Sequence, residues 1–548
     1  MPDYDSAFTD IDRAIRGLMA VHQPPSLSIA VTDRDGMIWQ AAYGYADLAA
    51  RAPASPVSRY EIGSVGKSFT CLALLKLHEM GRLDLHAPVT DILPWLEIET
   101  SFKPITVHHL MSHTSGLPVG ADSAPSARYE AWNLRRSPPP YAPGERFHYS
   151  NVGFKLLGFL VEDVSGRPYG DILQEWVLDP IGMPNSDALT THDSRRDMAV
   201  GYETYYDDRP WHPDDPLMPA PWFEYGAGDG SPVCDAADLA AYLRMLLNRG
   251  RGGHGRVINE DSFALMTQKA VEARGAGYGY GLSIQEEEGR TWIGHNGGTV
   301  GYLTTMLGDL EEGLGVVIFI NGPGNCQKDE VAAYTLKLLR AVRREEARPD
   351  PPESNIAIKV ESPQEFAGSY RSKSQAFEVE EEGGRLWMRY EAERLPMDPC
   401  GGDSFYVRHP ALQLYLLNFQ RENGQVVGVG CGPALYLKEG APRTEPPEKI
   451  PPEWLTYTGH YRAYNPWFSN FRIFLRSGRL YIAYKIYQAS FEVPIVPLEG
   501  GGFQVEIGTN TLSEEPYSPE RLRFDTVING KAQRALAFGG EYYRTFTP

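Results

Sequence analysis

Residues 60–81 read YEIGSVGKSFTCLALLKLHEMG and contain the one S-x-x-K pattern of the chain, Ser64 to Lys67. Residues 69–80 are largely apolar and Gly81 follows them, so the stretch predicts a buried helix with Ser64 near its N-terminus. Three residues apart, Ser64 and Lys67 share a helix face, and the lysine amine can reach the serine hydroxyl. Burial favours the neutral amine, which can accept the serine proton. A helix start with a solvated lysine is the alternative.

A second pattern, Tyr149-Ser-Asn151, is the one Y-x-N of the chain. It follows the turn at Pro143-Gly144 and precedes a helical run over 152–164. At a catalytic site, Tyr149 can shuttle a proton between nucleophile and leaving group. Asn151 can donate to a substrate carbonyl and contact Lys67. A packed loop tyrosine is the alternative.

Residues 294–299, GHNGGT, form the third candidate. A glycine-lined strand lets a substrate backbone approach closely, and His295 would present a donor or a titrating group to it. The alternative is a plain hairpin turn. The surrounding pattern predicts short strands at 282–285, 291–294, 302–307 and 316–320, turns at 296–298 and 311–313, and a helix at 332–342.

Helical spacing over 8–19, followed by strand, turn and strand signals over 27–43, predicts a helix and a hairpin at the start. One sheet built from both ends of the first segment, with helices between, fits this order. Three other residues receive ordinary interpretations: His113 is expected to be structural, and Asp229 and Asp235 to be turn and helix-cap residues.

Two proline-rich segments, at 343–363 and 439–452, are predicted linkers, and an internal repeat lies between and after them. FAGSYR at 366–371 matches YTGHYR at 457–462, and GRLWMRY at 384–390 matches GRLYIAY at 478–484. Two similar all-β modules, each a small antiparallel barrel or sandwich, are therefore predicted. The predicted domains are residues 1–345, 362–440 and 453–548.

Taken together, the three motifs resemble the serine β-lactamase and penicillin-binding-protein superfamily. Other segments share the resemblance: residues 62–64, 105–117, 238–240 and 314–318. It covers about residues 8–342. The resemblance implies an α/β fold with an antiparallel sheet flanked by helices and an inserted helical lobe, here followed by the two β-barrels.

The resemblance implies a role for each site residue: Ser64 as the acylated nucleophile, Lys67 and Tyr149 as its general-base pair, and Asn151 as a substrate-binding residue. His295 stands where many members have the lysine of K-T-G, with Asn296 and Gly297 in the next two places. The backbone N–H groups of Ser64 and Gly298 would form the oxyanion hole. The lysine would be a fixed cation that binds a substrate carboxylate. Because histidine is largely neutral at pH 7, it would bind that carboxylate less strongly. This is similar to the H-x-G members, which include esterases, amidases and D-aminopeptidases.

The whole chain resembles bacterial D-aminopeptidases, in which two β-barrels follow the catalytic domain. We therefore expect a metal-free serine hydrolase, a D-stereospecific aminopeptidase or amidase, acting on a small peptide, amide or ester. A carboxylesterase, a β-lactamase or D,D-carboxypeptidase, and a non-catalytic binding or regulatory protein are the alternatives. The β modules would shape the cleft, or serve as spacers or as contacts in a homodimer.

Composition limits the partners. The 548 residues carry 52 Lys and Arg against 71 Asp and Glu, a net charge of −19 that disfavours nucleic acid. No apolar run reaches the roughly 18 residues of a membrane helix, and the acidic start lacks a secretory signal, so a cytoplasmic protein is expected. No cofactor is implied, because metal-ligand spacings are missing. The five cysteines are scattered and predict free thiols.

Overall fold

Strands from both ends of the first 354 residues form one antiparallel sheet in the computed structural model. The structure describes residues 4–120, 126–273, 275–324, 326–354, 358–441, 450–465, 467–486, 488–499, 501–505 and 520–545. It divides into two compact units. The first unit comprises the described residues of Met1–Thr204 and Leu217–Ser354, and the second those of Tyr205–Pro216, Asn355–Thr511 and Glu520–Pro548.

The sheet of the first unit has nine strands, in the spatial order Ala52–Pro53, Met37–Asp47, Ser26–Asp33, Leu314–Ile320, Tyr302–Asp309, Arg290–Thr299, Ser283–Glu287, Ala276–Tyr278 and Val271–Ala273. Strand Leu314–Ile320 is buried throughout, and its side chains alternate between two cores. Val316 and Ile318 face one core, whereas Val317 and Phe319 face the other. Because successive side chains of a strand point to opposite faces, this sheet is covered on both sides.

Helices cover the two faces. Asp5–His22 and Lys328–Arg344 pack on one core, and Ala236–Leu247 and Gly66–Glu79 on the other. The remaining α-helices of the first unit are shorter or belong to the inserted helical lobe: Val89–Ile92, Val107–Met111, Ala127–Asn133, Asn151–Ser165, Tyr169–Leu173, Asp179–Ile181 and Glu260–Thr267. The predicted fold class is confirmed: an antiparallel sheet with flanking helices and a helical lobe.

One local prediction is wrong. Residues 296–298 were expected to turn, but they lie inside strand Arg290–Thr299, and the chain reverses at Val300-Gly301 instead. The physical reason lies in packing. A Cβ on Gly297 would meet the carbonyl oxygen of Ile62 at 1.9 Å. The glycine therefore serves a close backbone approach rather than a turn.

The second unit contains two antiparallel sheets of nine strands, each nearly closed into a barrel. The first runs Glu393–Pro396, Arg385–Tyr390, Ala376–Glu382, Gly368–Arg371, Ala434–Lys438, Gln425–Cys431, Leu417–Glu422, Ser404–Tyr406 and Asp398–Gly401. The second runs Ala489–Pro494, Arg479–Ile486, Asn470–Arg476, Gly459–Arg462, Gly540–Arg544, Lys531–Ala537, Arg521–Ile528, Phe503–Gln504 and Val496–Pro497. The two sheets have the same strand order.

The sequence repeat also repeats in three dimensions. The hydroxyl of Tyr370 donates to the carbonyl of Phe366 at 2.6 Å, and the hydroxyl of Tyr461 donates to the carbonyl of Tyr457 at 2.7 Å. Both tyrosines are fully buried at the start of the first strand of their sheet. The prediction of two β-barrel modules is confirmed, whereas the domain boundaries stay a prediction.

Segment Tyr205–Pro216 belongs to the second unit, although its neighbours along the chain belong to the first. The carboxylate of Asp207 accepts hydrogen bonds from Ser469 at 2.9 Å and from Arg462, and its carbonyl accepts one from Asn470 at 3.1 Å. No sequence pattern predicts this packing. All five cysteines are free. In the part of the chain that the structure describes, no helix combines the length and apolarity needed to cross a bilayer.

Candidate active site

Ser64 and Lys67 form the centre of the candidate site. Ser64 lies in the single turn Gly63–Val65 that leads into helix Gly66–Glu79, and it is half-buried. Lys67 is fully buried, and its Nζ lies 3.0 Å from Ser64 Oγ and donates to the carbonyl of Asp229 at 2.7 Å. A neutral amine at this position can keep the bond to Asp229 and direct its lone pair at the serine hydroxyl.

Glycines allow three chain segments to meet around Ser64. Gly63 has φ +53°, and a Cβ there would lie 2.7 Å from the backbone nitrogen of Gly298. A Cβ on Gly230 would lie 2.9 Å from the carbonyl of Gly63, and Gly297 meets Ile62 as described above. Larger residues at these positions would push the segments apart. The backbone approach therefore fixes where the Ser64 amide lies relative to residues 297–298.

The strand Arg290–Thr299 offers a free edge beside the serine. Its ladder with Ser283–Glu287 ends at the pair Ser283 and Gly294, whereas residues 295–299 continue to pair with Tyr302–Asp309 on the other side. An edge of this kind can bind an extended substrate through backbone hydrogen bonds. The predicted residues His295, Gly297 and Gly298 all lie on it.

Two hydrogen bonds orient the His295 ring, and desolvation keeps it neutral. Its Nδ1 is 2.6 Å from the carbonyl oxygen of Asn296, so Nδ1 carries the proton and donates. Its Nε2 is then an acceptor, and the hydroxyl of Tyr278 donates to it at 3.0 Å. Desolvation, together with the nearby charge of Lys67, lowers the pKa of His295 to about 4. Position 295 therefore presents no cation at neutral pH.

Tyr149 and Asn151 lie where the chain enters helix Asn151–Ser165, on either side of its N-cap Ser150. Lys67 Nζ is 4.9 Å from the centre of the Tyr149 ring, and the Tyr149 and His295 rings are 6.2 Å apart. Asn151 Oδ1 is buried and has no hydrogen-bond partner among the described residues. The expected contact between Asn151 and Lys67 is not among the hydrogen bonds of the described chain; Asp229 and Ser64 hold the lysine instead.

The sequence analysis did not predict the part that two residues play in the site. Asp229 lies in a turn, as expected, and its carbonyl also accepts a hydrogen bond from Lys67, while its carboxylate accepts one of 2.5 Å from Tyr225. Tyr278, which orients His295, lies in the glycine-rich stretch 275–281, to which no part in the site was assigned. The aromatic residues between those glycines were the available signal. Asp235, by contrast, caps helix Ala236–Leu247 as expected.

Comparison with known proteins agrees with this geometry. A family model described as Beta-lactamase matches residues 11–341, which are more than half of the chain. The chain belongs to the beta-lactamase family. The resemblance inferred from the motifs is thereby confirmed, and the H-x-G subgroup stays a prediction. Within the described ranges, no group of three or more His, Cys, Asp or Glu side chains can hold a metal ion.

Three known proteins are similar to this chain in sequence or in fold. Protein flp of Staphylococcus aureus (strain N315) is 30% identical over 202 residues, which are 35% of this chain and 41% of that protein's length. An octameric penicillin-binding protein homologue from Pyrococcus abyssi has a TM-score of 0.56 and 26% identity, covering 79% of this chain and 100% of its own. A D-amino acid amidase from Ochrobactrum anthropi SV3 shares the fold, with a TM-score of 0.51 and 23% identity over 60% of this chain and 100% of its own.

Proposed function

We propose that the chain is a serine hydrolase that cleaves amide or ester bonds through an acyl-enzyme on Ser64. The distance of 3.0 Å between Lys67 Nζ and Ser64 Oγ carries this proposal. A serine hydroxyl is a weak nucleophile unless a base within hydrogen-bond reach removes its proton. Lys67 is fully buried, and Tyr149 lies beside it.

The proposed reaction has two halves. Lys67, with Tyr149, takes the proton of Ser64 Oγ as the oxygen attacks the substrate carbonyl carbon, and the amides of Ser64 and Gly298 stabilise the oxyanion. Tyr149 or Lys67 returns the proton to the leaving amine or alcohol when the carbonyl–leaving-group bond breaks. In the second half a water attacks the acyl carbon, gives its proton to the same base pair, and releases the acid with Ser64 reprotonated.

His295 limits which classes of substrate the proposal favours. A neutral imidazole whose two nitrogens already bind Asn296 and Tyr278 offers no charge to a substrate carboxylate. We therefore favour an amide, peptide or ester without a free carboxylate at that end over penicillin or a D,D-peptide. The order of a catalytic domain and two β-barrels supports, by analogy of architecture, a D-stereospecific aminopeptidase or amidase.

The test compares the protein with its Ser64→Ala variant on D- and L-alanine p-nitroanilides, p-nitrophenyl acetate and a chromogenic cephalosporin. We expect Ser64-dependent release from the D-alanine anilide. Turnover of the ester alone would replace the amidase proposal by a carboxylesterase. Turnover of the cephalosporin would replace it by a β-lactamase. Lack of turnover with all four, or turnover that survives in Ser64→Ala, would contradict a Ser64 hydrolase.

A further inference from the structure

His113 holds the backbone on both sides of Tyr149. The N–H of His148 donates to the carbonyl of His113 at 2.8 Å, and the N–H of Ser150 donates to its Nδ1 at 3.0 Å. One residue from the loop after helix Val107–Met111 therefore binds the backbone N–H of the residue before the tyrosine and that of the residue after it. Ser150 is also the N-cap of helix Asn151–Ser165, so this anchor lies where the loop becomes rigid.

The imidazole of His113 also packs against the tyrosine itself. The two ring centres are 4.2 Å apart, and Phe154 and Tyr278 lie on other sides of the imidazole at 4.9 and 5.1 Å. His113 is fully buried. An aromatic enclosure of this kind restricts both the position and the tilt of a ring.

The hydrogen bond with Ser150 determines the protonation state of the imidazole. Because Nδ1 accepts an N–H, it carries no proton, and the ring is the neutral Nε2–H tautomer. Burial, followed by the proximity of Lys67, holds the pKa of His113 well below its usual range. The acceptor at Nδ1 is therefore available at neutral pH.

The backbone of His113 limits which residues fit. Its φ of +56° is in the left-handed region, which glycine adopts freely and asparagine tolerates better than most residues. Asparagine also places its side-chain oxygen near the position of Nδ1. The site therefore permits two matched substitutions, one without the acceptor and one with it.

We propose that His113 is a positioning residue that holds Tyr149 in register with Lys67 and Ser64 during acylation. It acts through the peptide groups on either side of the tyrosine and through the ring contact, without touching the substrate. This inference rests on the proposed function, because it assigns the residue a part in the acylation of Ser64.

The test measures the rate constant and the end point of Ser64 labelling by a fluorophosphonate in three proteins: wild type, His113→Gly and His113→Asn. A loss of folded protein lowers the end point, whereas a misplaced Tyr149 lowers the rate at an unchanged end point. We expect His113→Gly to react about 30-fold more slowly, which corresponds to about 2 kcal/mol of barrier. His113→Asn should stay within about fivefold of wild type, because it keeps the acceptor.

The outcomes separate the inference from the proposed function. Absence of an adduct on wild type would refute the proposed function, and the inference with it. A wild-type adduct together with an unchanged rate in His113→Gly, or with equally slow Gly and Asn variants, would overturn the inference alone. If His113→Gly does not fold, His113→Asn decides by itself, and a loss of more than tenfold contradicts us. His109→Gln, which alters a histidine of the preceding helix, serves as the control and should label at the wild-type rate.

Discussion

Replacing His295 by lysine should create the carboxylate preference that the wild type lacks. The pKa of His295 of about 4 lies well below the ordinary 6.5, a difference worth about 3 kcal/mol against the charged ring. At pH 7 only about one imidazole in 1,000 would be charged. A lysine that bears the same penalty starts from an ordinary value of about 10.4 and stays largely cationic at pH 7. The substitution therefore adds one positive charge at the free strand edge.

A charge-assisted hydrogen bond contributes about 1.5–3 kcal/mol, so the His295→Lys variant should shift selectivity roughly 10- to 150-fold. The assay compares kcat/KM for two D-alanyl amides that differ at one group, the amide of 4-aminobenzoic acid and that of 4-aminobenzamide. The lysine variant should favour the carboxylate by this factor over wild type, and His295→Gln should leave the ratio unchanged. A shift below about threefold, or one toward the carboxamide, would refute the reasoning about position 295.

Three further predictions concern packing, acid stability and the second unit. Gly297→Ala places a Cβ 1.9 Å from the carbonyl oxygen of Ile62 and should slow fluorophosphonate labelling of Ser64 at least about 100-fold. In the control variant Gly36→Ala the added Cβ meets open space, and the labelling rate should not change. The pKa of His109 is lowered to about 4, chiefly by desolvation, so as the pH falls below 6.5 the unfolded chain binds a proton that the folded chain does not, and stability is lost. Between pH 8 and pH 5, the unfolding free energy of His109→Gln should therefore fall by about 2 kcal/mol less than that of wild type in urea titrations. Glu492→Leu leaves Arg476 without the partner of an ion pair whose side chains are 4% and 2% exposed, and should cost the second unit about 3–5 kcal/mol by calorimetry. Arg394→Ala, which breaks solvent-exposed ion pairs, should cost much less, and equal effects of the two substitutions would contradict the burial argument.

Local spacing made much of the site predictable. Ser64 and Lys67 are three residues apart, and helical geometry alone brings their side chains together. The apolar stretch after them required burial, and the structure shows Lys67 fully enclosed. The two β-barrels were predictable for a similar reason, since Tyr370 and Tyr461 repeat with their glycines at fixed spacing.

Long-range contacts account for what the sequence left out. Asp229 holds Lys67 through a main-chain carbonyl, which every residue type possesses, and the two are 162 residues apart. The hydrogen bond from Tyr278 to His295 depends on how two strands align. The glycines at 297 and 298 were assigned to a turn because their composition is the same whether a chain reverses or meets another backbone.

The central claim, that Ser64 is an activated nucleophile, is tested most directly by intact-mass analysis after treatment with a fluorophosphonate. The account predicts one adduct per chain, mapped by peptide sequencing to Ser64, absent from Ser64→Ala, and formed at least about 100-fold more slowly in Lys67→Met, which removes the base. An adduct on another residue, an adduct that persists in Ser64→Ala, or no adduct on the wild type would contradict the account.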